Sequence, residues 1–264
     1  MPAPGPRYSV VVPAYDEEAL LPATLASIRE AMAAVPREGE IVVCDNNSTD
    51  GTAAAARAAG ARVVFEPHNQ IARARNTGGR AALGEWLVFV DADTTIPSPL
   101  LREALALLES GSAAGGGSLF LMEGAEGGAA GRMVRLWTWI SRRFRLAAGS
   151  FLFVRRDAFD AVGGFPETMY AGEEVVFSMA VRRWGRARGL PFLVLEDHPV
   201  RTSGRKLRWF SHGTLLATFL LMTLCPWLAR SRAFCRIWYR RPAAPPTPAS
   251  PAPPRSRSTT PTGN

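Results

Sequence analysis

Two aspartates separated by one residue, Asp91 and Asp93, follow the fully apolar run Trp86–Val90. Two carboxylates at the end of a strand can both face one divalent cation, and that cation can bridge the oxygens of a diphosphate. Mg²⁺ or Mn²⁺ suits such hard oxygen ligands. The pair therefore predicts a metal site for a phosphate-bearing ligand, with Asp91 and Asp93 as its protein ligands.

Acidic or polar loops follow two further apolar strands in the first half of the chain. Residues 13–17 come after a strand predicted at 8–12. Residues 45–50 come after a strand predicted at 40–44. These strands alternate with helical patterns, which predicts an α/β fold with a mostly parallel central sheet and helices on both faces. Ligands bind outside the carboxyl ends of the strands in such sheets, so the three loops should meet in one crevice.

The second half of the chain offers fewer chemical signals. Glycines crowd the stretch from Gly111 to Gly131, which predicts a mobile loop over the crevice. A helix is predicted from about Glu173 to Trp184, because Gly185 follows it. Its first turn carries the adjacent acids Glu173 and Glu174, which also complement the dipole of the helix.

The net charge and its distribution along the chain restrict the kinds of partner that the protein could bind. The net charge is +8, and the basic residues crowd into the second half. Since there is neither zinc-finger spacing nor an aromatic-basic RNA motif, the charge favours a phosphate-bearing ligand or an anionic membrane surface over nucleic acid. The apolar run from Gly213 to Ala229 contains Pro226 and is shorter than the roughly 20 residues of a spanning helix, so it is a marginal span.

Three regions are predicted. A catalytic domain should occupy residues 7–206, a basic and apolar membrane-contact segment residues 207–240, and a disordered Pro-rich tail residues 241–264. The three cysteines form no CxxC pair, and the first residues lack the apolar core of a secretory signal. We therefore expect the catalytic part in the cytoplasm, associated with the inner face of the cell membrane.

Five segments resemble, in order, the motifs of family 2 glycosyltransferases, whose catalytic domain has the A-type, Rossmann-like nucleotide-diphospho-sugar transferase fold. Across residues 8–185 they read VVVPAYDEE, EIVVCDNNSTDGT, ARARNTGGRAALGEWLVFVDADT, GSFLFVRRDAFDAVGGFPE and AGEEVVFSMAVRRWG. The resemblance implies metal-dependent transfer of a sugar from a nucleotide-diphospho-sugar donor to a hydroxyl of a saccharide or lipid-linked acceptor. We expect the transfer to invert the anomeric centre.

The resemblance also implies roles for individual side chains. Four residues would line the nucleoside pocket: Pro13, Ala14, Tyr15 and Glu17. Three would lie along the pyrophosphate: Arg73, Arg75 and Asn76. Asp45 would accept a hydrogen bond from the base, Asp91 would lie near the ribose or the metal, and Asp93 would bind the metal.

The sequence departs from the family in the acceptor motif. The family usually has Glu-Asp at the start of the helix, whereas this chain has Glu173 and Glu174. Glu174 takes the Asp position with one additional methylene, so we predict that it is the general base and that Glu173 is the reserve. The family often closes a loop over the donor, and here His198, Arg201 or Arg205 would contact phosphate.

Two alternatives remain at this point. A sugar nucleotidyltransferase would also bind a nucleotide on an α/β sheet, but it needs a Gly-rich phosphate loop where this chain has Pro13 to Glu17. A non-catalytic nucleotide-sugar-binding protein would tolerate the change at Glu174. Hydrolysis of the donor in the presence of Mn²⁺ would distinguish an enzyme from such a binding protein.

Overall fold

The computed structural model describes residues 5–125, 127–205, 209, 214, 218, 221 and 225–239. The tail predicted at 241–264 lies outside the described residues, as does most of the apolar run from 213 to 229. Within the described part of the chain, no helix is both long and apolar enough to cross a bilayer.

The described strands form one sheet of eight. They are β1 (Tyr8–Ala14), β2 (Gly39–Asp45), β3 (Arg62–Phe65), β4 (Trp86–Val90), β5 (Thr94–Thr95), β6 (Gly115–Met122), β7 (Phe151–Arg155) and β8 (Phe192–Thr202). Their order across the sheet is β3-β2-β1-β4-β7-β6-β8-β5. The first four strands pair in parallel, as do β6 and β8, while β7 is antiparallel to both neighbours and β5 is antiparallel to β8. The prediction of a mostly parallel α/β sheet is confirmed.

Helices connect the strands. They are α1 (Leu21–Ala33), α2 (Thr52–Ala58), α3 (Ile71–Ala81), α4 (Ser98–Glu109), α5 (Gly128–Phe144), α6 (Arg156–Val162) and α7 (Glu173–Arg186). A 3-10 helix at Pro226–Arg230 and a short helix at Arg236–Tyr239 follow near the end of the described chain. Helix α7 begins at the predicted residue but continues past Gly185.

Side chains that alternate along β1 supply two separate cores, one on each face of the sheet. Val10 and Val12 pack into the core that α1 and α4 cover, whereas Val11 packs into the core that α3, α6 and α7 cover. All three valines are fully buried. Alternation with both faces apolar is what a central strand in a three-layer α/β domain requires.

The glycine-rich stretch contains a central strand rather than the mobile loop predicted from Gly111 to Gly131. Gly115 and Gly116 begin β6, which lies between β7 and β8. A Cβ atom on Gly115 would lie 2.6 Å from the carbonyl oxygen of Phe153, and one on Gly116 would overlap the carbonyl oxygen of Leu193. The loop prediction is wrong here, because the close approach of the neighbouring strands requires residues without side chains.

Candidate active site

A pocket opens at the carboxyl ends of β1, β2 and β4, where the sequence predicts the crevice. Its lining comprises Pro13, Ala14, Tyr15, Glu17, Asn46, Asn69, Ile71, Ala74, Asp91, Ala92, Asp93, Arg205 and Tyr239. All four residues that the resemblance places on the nucleoside are part of this lining. Asp91 and Asp93, the predicted metal ligands, line the pocket as well.

Hydrogen bonds lock the loop after β1 to the loop after β2. The backbone nitrogen of Thr49 donates to Asp16 Oδ1 at 2.7 Å, and that of Gly51 donates to Glu18 Oε2 at 2.7 Å. Asp16 adopts a positive φ of 49°, which aspartate tolerates better than most residues. These acids therefore shape the pocket rim by holding two loops together.

Arg75 lies at the centre of a buried ion-pair network. Its guanidinium donates to Asp91 at 2.8 Å and to Glu173 at 2.6 Å, and the residue is 1% exposed. Burial disfavours its charged form, but the carboxylates of Asp91, Glu173 and Glu174 outweigh that effect and raise the pKa of Arg75. Arg75 thus connects the end of β4 to the start of α7 and does not line the pocket described above.

Arg205 forms a second ion-pair cluster inside the pocket. Its two terminal nitrogens both contact the Glu17 carboxylate, one of them at 2.5 Å, and Nη2 lies 3.2 Å from Asp93 Oδ2. Burial alone would lower the pKa of Arg205, but the bonded carboxylates raise it above its ordinary value. The charged guanidinium of Arg205 therefore contacts Asp93, the second aspartate of the predicted metal site.

The two acids at the start of α7 differ in their environments. Glu173 is 2% exposed and bonded to Arg75, whereas Glu174 is half-buried. Burial raises the pKa of Glu173, although Arg75 offsets part of the shift. Burial, followed by the neighbouring charge of Glu173, raises the pKa of Glu174 to about 8. Glu174 therefore keeps its proton to a higher pH than an ordinary glutamate does.

Negative charge exceeds positive charge around these networks. Five carboxylates and two guanidinium groups take part, which leaves an excess of three negative charges when all are ionised: Glu17, Asp91, Asp93, Glu173 and Glu174 against Arg75 and Arg205. Such an excess in a partly desolvated pocket attracts a divalent cation and disfavours ionisation of the last carboxyl group.

The residues of the pocket fit a cation that is coordinated partly by the protein and partly by a bound diphosphate. Among the described residues, no group of three or more His, Cys, Asp or Glu side chains forms a metal site by itself. Asp91 and Asp93 both line the pocket, however, and each carboxylate already faces an arginine. Two carboxylates suit Mg²⁺ or Mn²⁺ when diphosphate oxygens and water complete the coordination.

Three residues that the resemblance assigns to the donor make contacts within the protein. Asn76 is fully buried, where it donates to the carbonyl of Phe165 at 2.9 Å. Arg73 lies 3.2 Å from Glu167, outside the pocket lining. Asp45 is 8% exposed and accepts a hydrogen bond from the backbone of Ser48 at 3.0 Å. In this structure all three support the loops around the pocket, and donor contact stays a prediction for them.

Sequence reasoning missed two asparagines in the pocket lining. Asn46 follows β2 directly. Its side-chain nitrogen donates to the carbonyl of His68 at 2.6 Å, and its side-chain oxygen accepts from the backbone nitrogen of Gln70 at 2.8 Å. The side chain of Asn69 donates to the carbonyl of Asn46 at 3.1 Å. The polar run after β2 predicts a loop of the crevice, in which the resemblance assigns only Asp45 to the ligand, and this pattern gives no signal that Asn46 joins two loops.

Tyr239 closes the pocket from the other end of the chain. Its hydroxyl donates to the carbonyl of Tyr170 at 3.0 Å and accepts from the backbone nitrogen of Ile71 at 3.4 Å. Residues 225–239 therefore pack against the catalytic domain, although the segment 207–240 is predicted to contact a membrane. In the sequence, the signal at Tyr239 is only that an aromatic residue occurs in a basic segment.

The chain is similar in sequence to proteins described as glycosyltransferases. Glycosyltransferase AglE of Haloferax volcanii is 28% identical over 216 residues, which are 77% of this chain and 70% of that protein. An uncharacterized glycosyltransferase of Mycobacterium tuberculosis is 37% identical over 108 residues, which are 41% of this chain and 46% of that protein. The chain thus spans about half the length of the second relative.

Solved structures share the fold at lower identity. The mannosyltransferase PcManGT from Pyrobaculum calidifontis, in complex with GDP-Man and Mn²⁺, has a TM-score of 0.62 and 21% identity over 93% of this chain and 67% of that chain. Glucosyl-3-phosphoglycerate synthase from Mycobacterium tuberculosis, in complex with Mn²⁺, UDP-Glc and phosphoglyceric acid, has a TM-score of 0.58 and 22% identity over 86% of this chain and 80% of that chain. The predicted nucleotide-sugar transferase fold is confirmed.

The family model described as glycosyl transferase family 2 matches residues 9–163. That range contains β2 to β4 and all of β1 except Tyr8. It also contains Arg75 and the part of the pocket lining from Pro13 to Asp93. It covers more than half of the chain, and so the chain belongs to glycosyltransferase family 2.

Proposed function

We propose that the chain transfers a glycosyl group from a nucleotide-diphospho-sugar to an acceptor hydroxyl with inversion of the anomeric centre, and that the reaction depends on Mg²⁺ or Mn²⁺. The observation that carries the proposal is the position of Asp91 and Asp93 in the pocket at the end of β4. The nucleoside lies against Pro13, Ala14 and Tyr15, and the diphosphate extends toward the aspartates.

Asp93 and Asp91 are the residues that hold the cation. When bound, the cation neutralises the negative charge that develops on the departing nucleotide diphosphate. Arg205 is already positioned within the same pocket, 3.2 Å from Asp93. Since its guanidinium offers planar donors, it can pair with phosphate oxygens once it no longer occupies Asp93.

Glu174 is the proposed base. The acceptor oxygen attacks the anomeric carbon from the side opposite the diphosphate, the bond from that carbon to the diphosphate oxygen breaks, and the hydroxyl proton passes to the Glu174 carboxylate. One displacement inverts the centre without a covalent intermediate. Glu173 is less suited to this role because its carboxylate is committed to Arg75 at 2.6 Å.

The acceptor is proposed as a saccharide or a lipid-linked saccharide, used at the inner face of the cell membrane. The basic second half of the chain supports this location. Family membership sets the sugar nucleotidyltransferase alternative aside, because the family transfers glycosyl groups. A non-catalytic binder is disfavoured because both pocket aspartates and a half-buried acid beside them are present.

Asp93→Asn should remove metal-dependent donor binding while leaving folding almost unchanged. The amide keeps the shape of the side chain but loses the charge that faces the cation. Nucleotide sugars are first screened with Mn²⁺ for thermal stabilisation, which reaches about 2.7 kcal/mol at 100 times the dissociation constant. For the best donor, calorimetry should show an affinity at least about tenfold weaker in the variant.

Asp197→Asn is the matched control, since Asp197 is an exposed aspartate of β8. It should bind the donor as the wild-type chain does. Unchanged donor affinity in Asp93→Asn with Mn²⁺ present would remove Asp93 from the metal site. Failure of every nucleotide sugar to stabilise the wild-type chain would contradict the proposed donor class itself.

Arg205→Met should increase the affinity of the donor-free protein for Mn²⁺. The arginine competes for the carboxylates of Glu17 and Asp93, so a neutral side chain of similar length releases them. We expect about tenfold tighter binding, equivalent to roughly 1.4 kcal/mol, by titration followed with electron paramagnetic resonance. Arg201→Met, on the exposed part of β8, should bind Mn²⁺ like the wild type. Equal affinities of all three proteins would show that Arg205 does not compete with the cation.

A further inference from the structure

Helix α5 exposes large apolar side chains on the surface of the domain. Leu136 is 57% exposed, Trp139 is 59% exposed and Phe144 is 47% exposed. The rings of Trp139 and Phe144 meet edge to face with centroids 6.3 Å apart. Neighbouring apolar side chains of this size, left in contact with water, indicate a surface that another phase or molecule covers.

Arginines surround these side chains. Helix α5 contains four arginines and no acidic residue. Residues spaced by three or four positions lie on one side of a helix, and by that spacing the exposed residues form a single face, which we call the α5 face: Arg132, Arg135, Leu136, Trp139, Arg142 and Arg143. Arg182 of α7 extends the basic surface, because it donates to the carbonyl of Phe144 at 2.7 Å.

We propose that the α5 face docks on an anionic lipid surface. A helix with tryptophan and leucine among arginines, and with little other charge, is suited to lie in the interfacial plane of a bilayer. Its arginines then pair with lipid phosphates, and its apolar side chains enter the boundary between headgroups and acyl chains. Arg142 keeps its pairing with Glu196 at 2.9 Å, which fixes one edge of the face to β8.

Other partners fit the face less well. In a symmetric dimer the same patch would meet itself, so four arginines would face four arginines at a high electrostatic cost. A nucleic acid would neutralise the arginines but would leave Leu136 and Trp139 in water, since a phosphate backbone offers them no apolar phase. The lipid surface is the partner that satisfies both kinds of side chain.

The position of α5 connects this surface to the catalytic site. The chain passes from the end of α5 to Gly149, whose carbonyl accepts a hydrogen bond from Arg75 at 3.1 Å. Docking at α5 therefore places the membrane against an element that continues into the Arg75 network. A lipid-linked acceptor suits an enzyme held on the membrane in this way; the acceptor rests on the proposed function, whereas the lipid binding itself does not.

The test is sedimentation of the full chain, without donor, with vesicles of phosphatidylglycerol and phosphatidylcholine or of phosphatidylcholine alone. The wild type should bind the anionic vesicles, and salt raised from about 0.1 to about 0.5 M should weaken binding. L136Q/W139Q should lower the partition coefficient at least about tenfold. R135E/R143E should also lower it at least about tenfold, since each basic group contributes about fivefold, and should leave little dependence on salt.

Matched control variants carry the same kinds of substitution at exposed positions outside the α5 face. Leu83 is 67% exposed and precedes the amino end of β4, whereas α5 follows the carboxyl end of β6, so L83Q should bind vesicles as the wild type does. R57E/R102E changes two exposed arginines of α2 and α4 and should reduce binding much less than R135E/R143E. Quenching of tryptophan emission by brominated acyl chains in the wild type tests insertion without any variant.

Three results would overturn the proposal. They are equal sedimentation of L136Q/W139Q and the wild type, equal binding of the wild type to neutral and anionic vesicles, and binding to a nucleic acid duplex in place of vesicles. The last result would assign the face to nucleic acid. None of these results depends on glycosyl transfer, so failure of the lipid proposal is distinguishable from failure of the proposed function.

Discussion

Glu174→Gln is expected to slow glycosyl transfer by roughly 10²- to 10⁴-fold, the usual effect of losing a positioned base. Glutamine has the same shape and cannot accept the proton of the acceptor hydroxyl. Donor affinity and melting temperature should change little, because the donor pocket is lined by other residues and Glu174 is half-buried. Single-turnover transfer, with donor binding measured separately, distinguishes lost chemistry from lost affinity.

The pH profile gives an independent measurement of the same role. Only the ionised carboxylate accepts a proton, and the pKa of Glu174 is raised to about 8. The wild-type rate should therefore rise with pH, with a midpoint at or below about 8, since a bound cation favours ionisation and moves the midpoint down. Glu174→Gln should lose this rise, which a purely structural role would not produce.

Two matched substitutions control the assignment. Glu174→Asp restores the residue usual in the family and should retain much of the transfer rate, because the carboxylate moves by only one methylene. Glu173→Gln should affect transfer less than Glu174→Gln does, because Glu173 contacts Arg75 and serves to position it. If Glu174→Gln transfers at the wild-type rate, the base lies elsewhere and the assignment of roles at the start of α7 is wrong.

Local patterns were sufficient to predict the pocket at the carboxyl ends of β1, β2 and β4. Each of β1, β2 and β4 is a short apolar run followed at once by polar residues, and parallel strands bring such loops to one edge of the sheet. The position of Asp91 and Asp93 in the pocket follows from that pattern alone. The residues at the carboxyl ends of these strands are set by the local sequence, so their position in the pocket could be predicted.

Features that depend on distant contacts were not predictable in the same way. Gly115 and Gly116 have low strand propensity, and the strands that require them lie elsewhere in the sequence. Tyr239 reaches Ile71 from 168 positions away. Arg75 is a further case: its buried contacts to Asp91 and Glu173 join positions 16 and 98 residues away, which no local pattern indicates, while its place along the pyrophosphate stays a prediction.

Arg75→Met is expected to destabilise the protein by about 3 to 5 kcal/mol, the usual cost of leaving buried charges without their partner. The residue is 1% exposed, and its removal would take away the buried cation that Asp91 and Glu173 share, in a network that is already rich in negative charge. The measurement is the free energy of unfolding in urea. Arg62→Met is the control: Arg62 pairs with Glu40 on the surface at 2.7 Å, so its loss should cost at most about 1 kcal/mol.

The free energy of unfolding of that variant should depend on pH in a way that reflects the loss of the cation beside Glu173. Without Arg75 the folded-state pKa of Glu173, already raised by burial, rises further, so the folded protein binds more protons than the unfolded chain. Stability contributed by the protonated form is complete below the unfolded pKa and is lost as pH rises through the folded pKa. Arg75→Met should therefore lose more stability at pH about 8 than at pH about 5, and adding Glu173→Gln should recover part of the loss, because it replaces one buried charge by a neutral amide. A loss below about 1 kcal/mol, or no recovery in the double variant, would mean that Arg75 does not hold these carboxylates together.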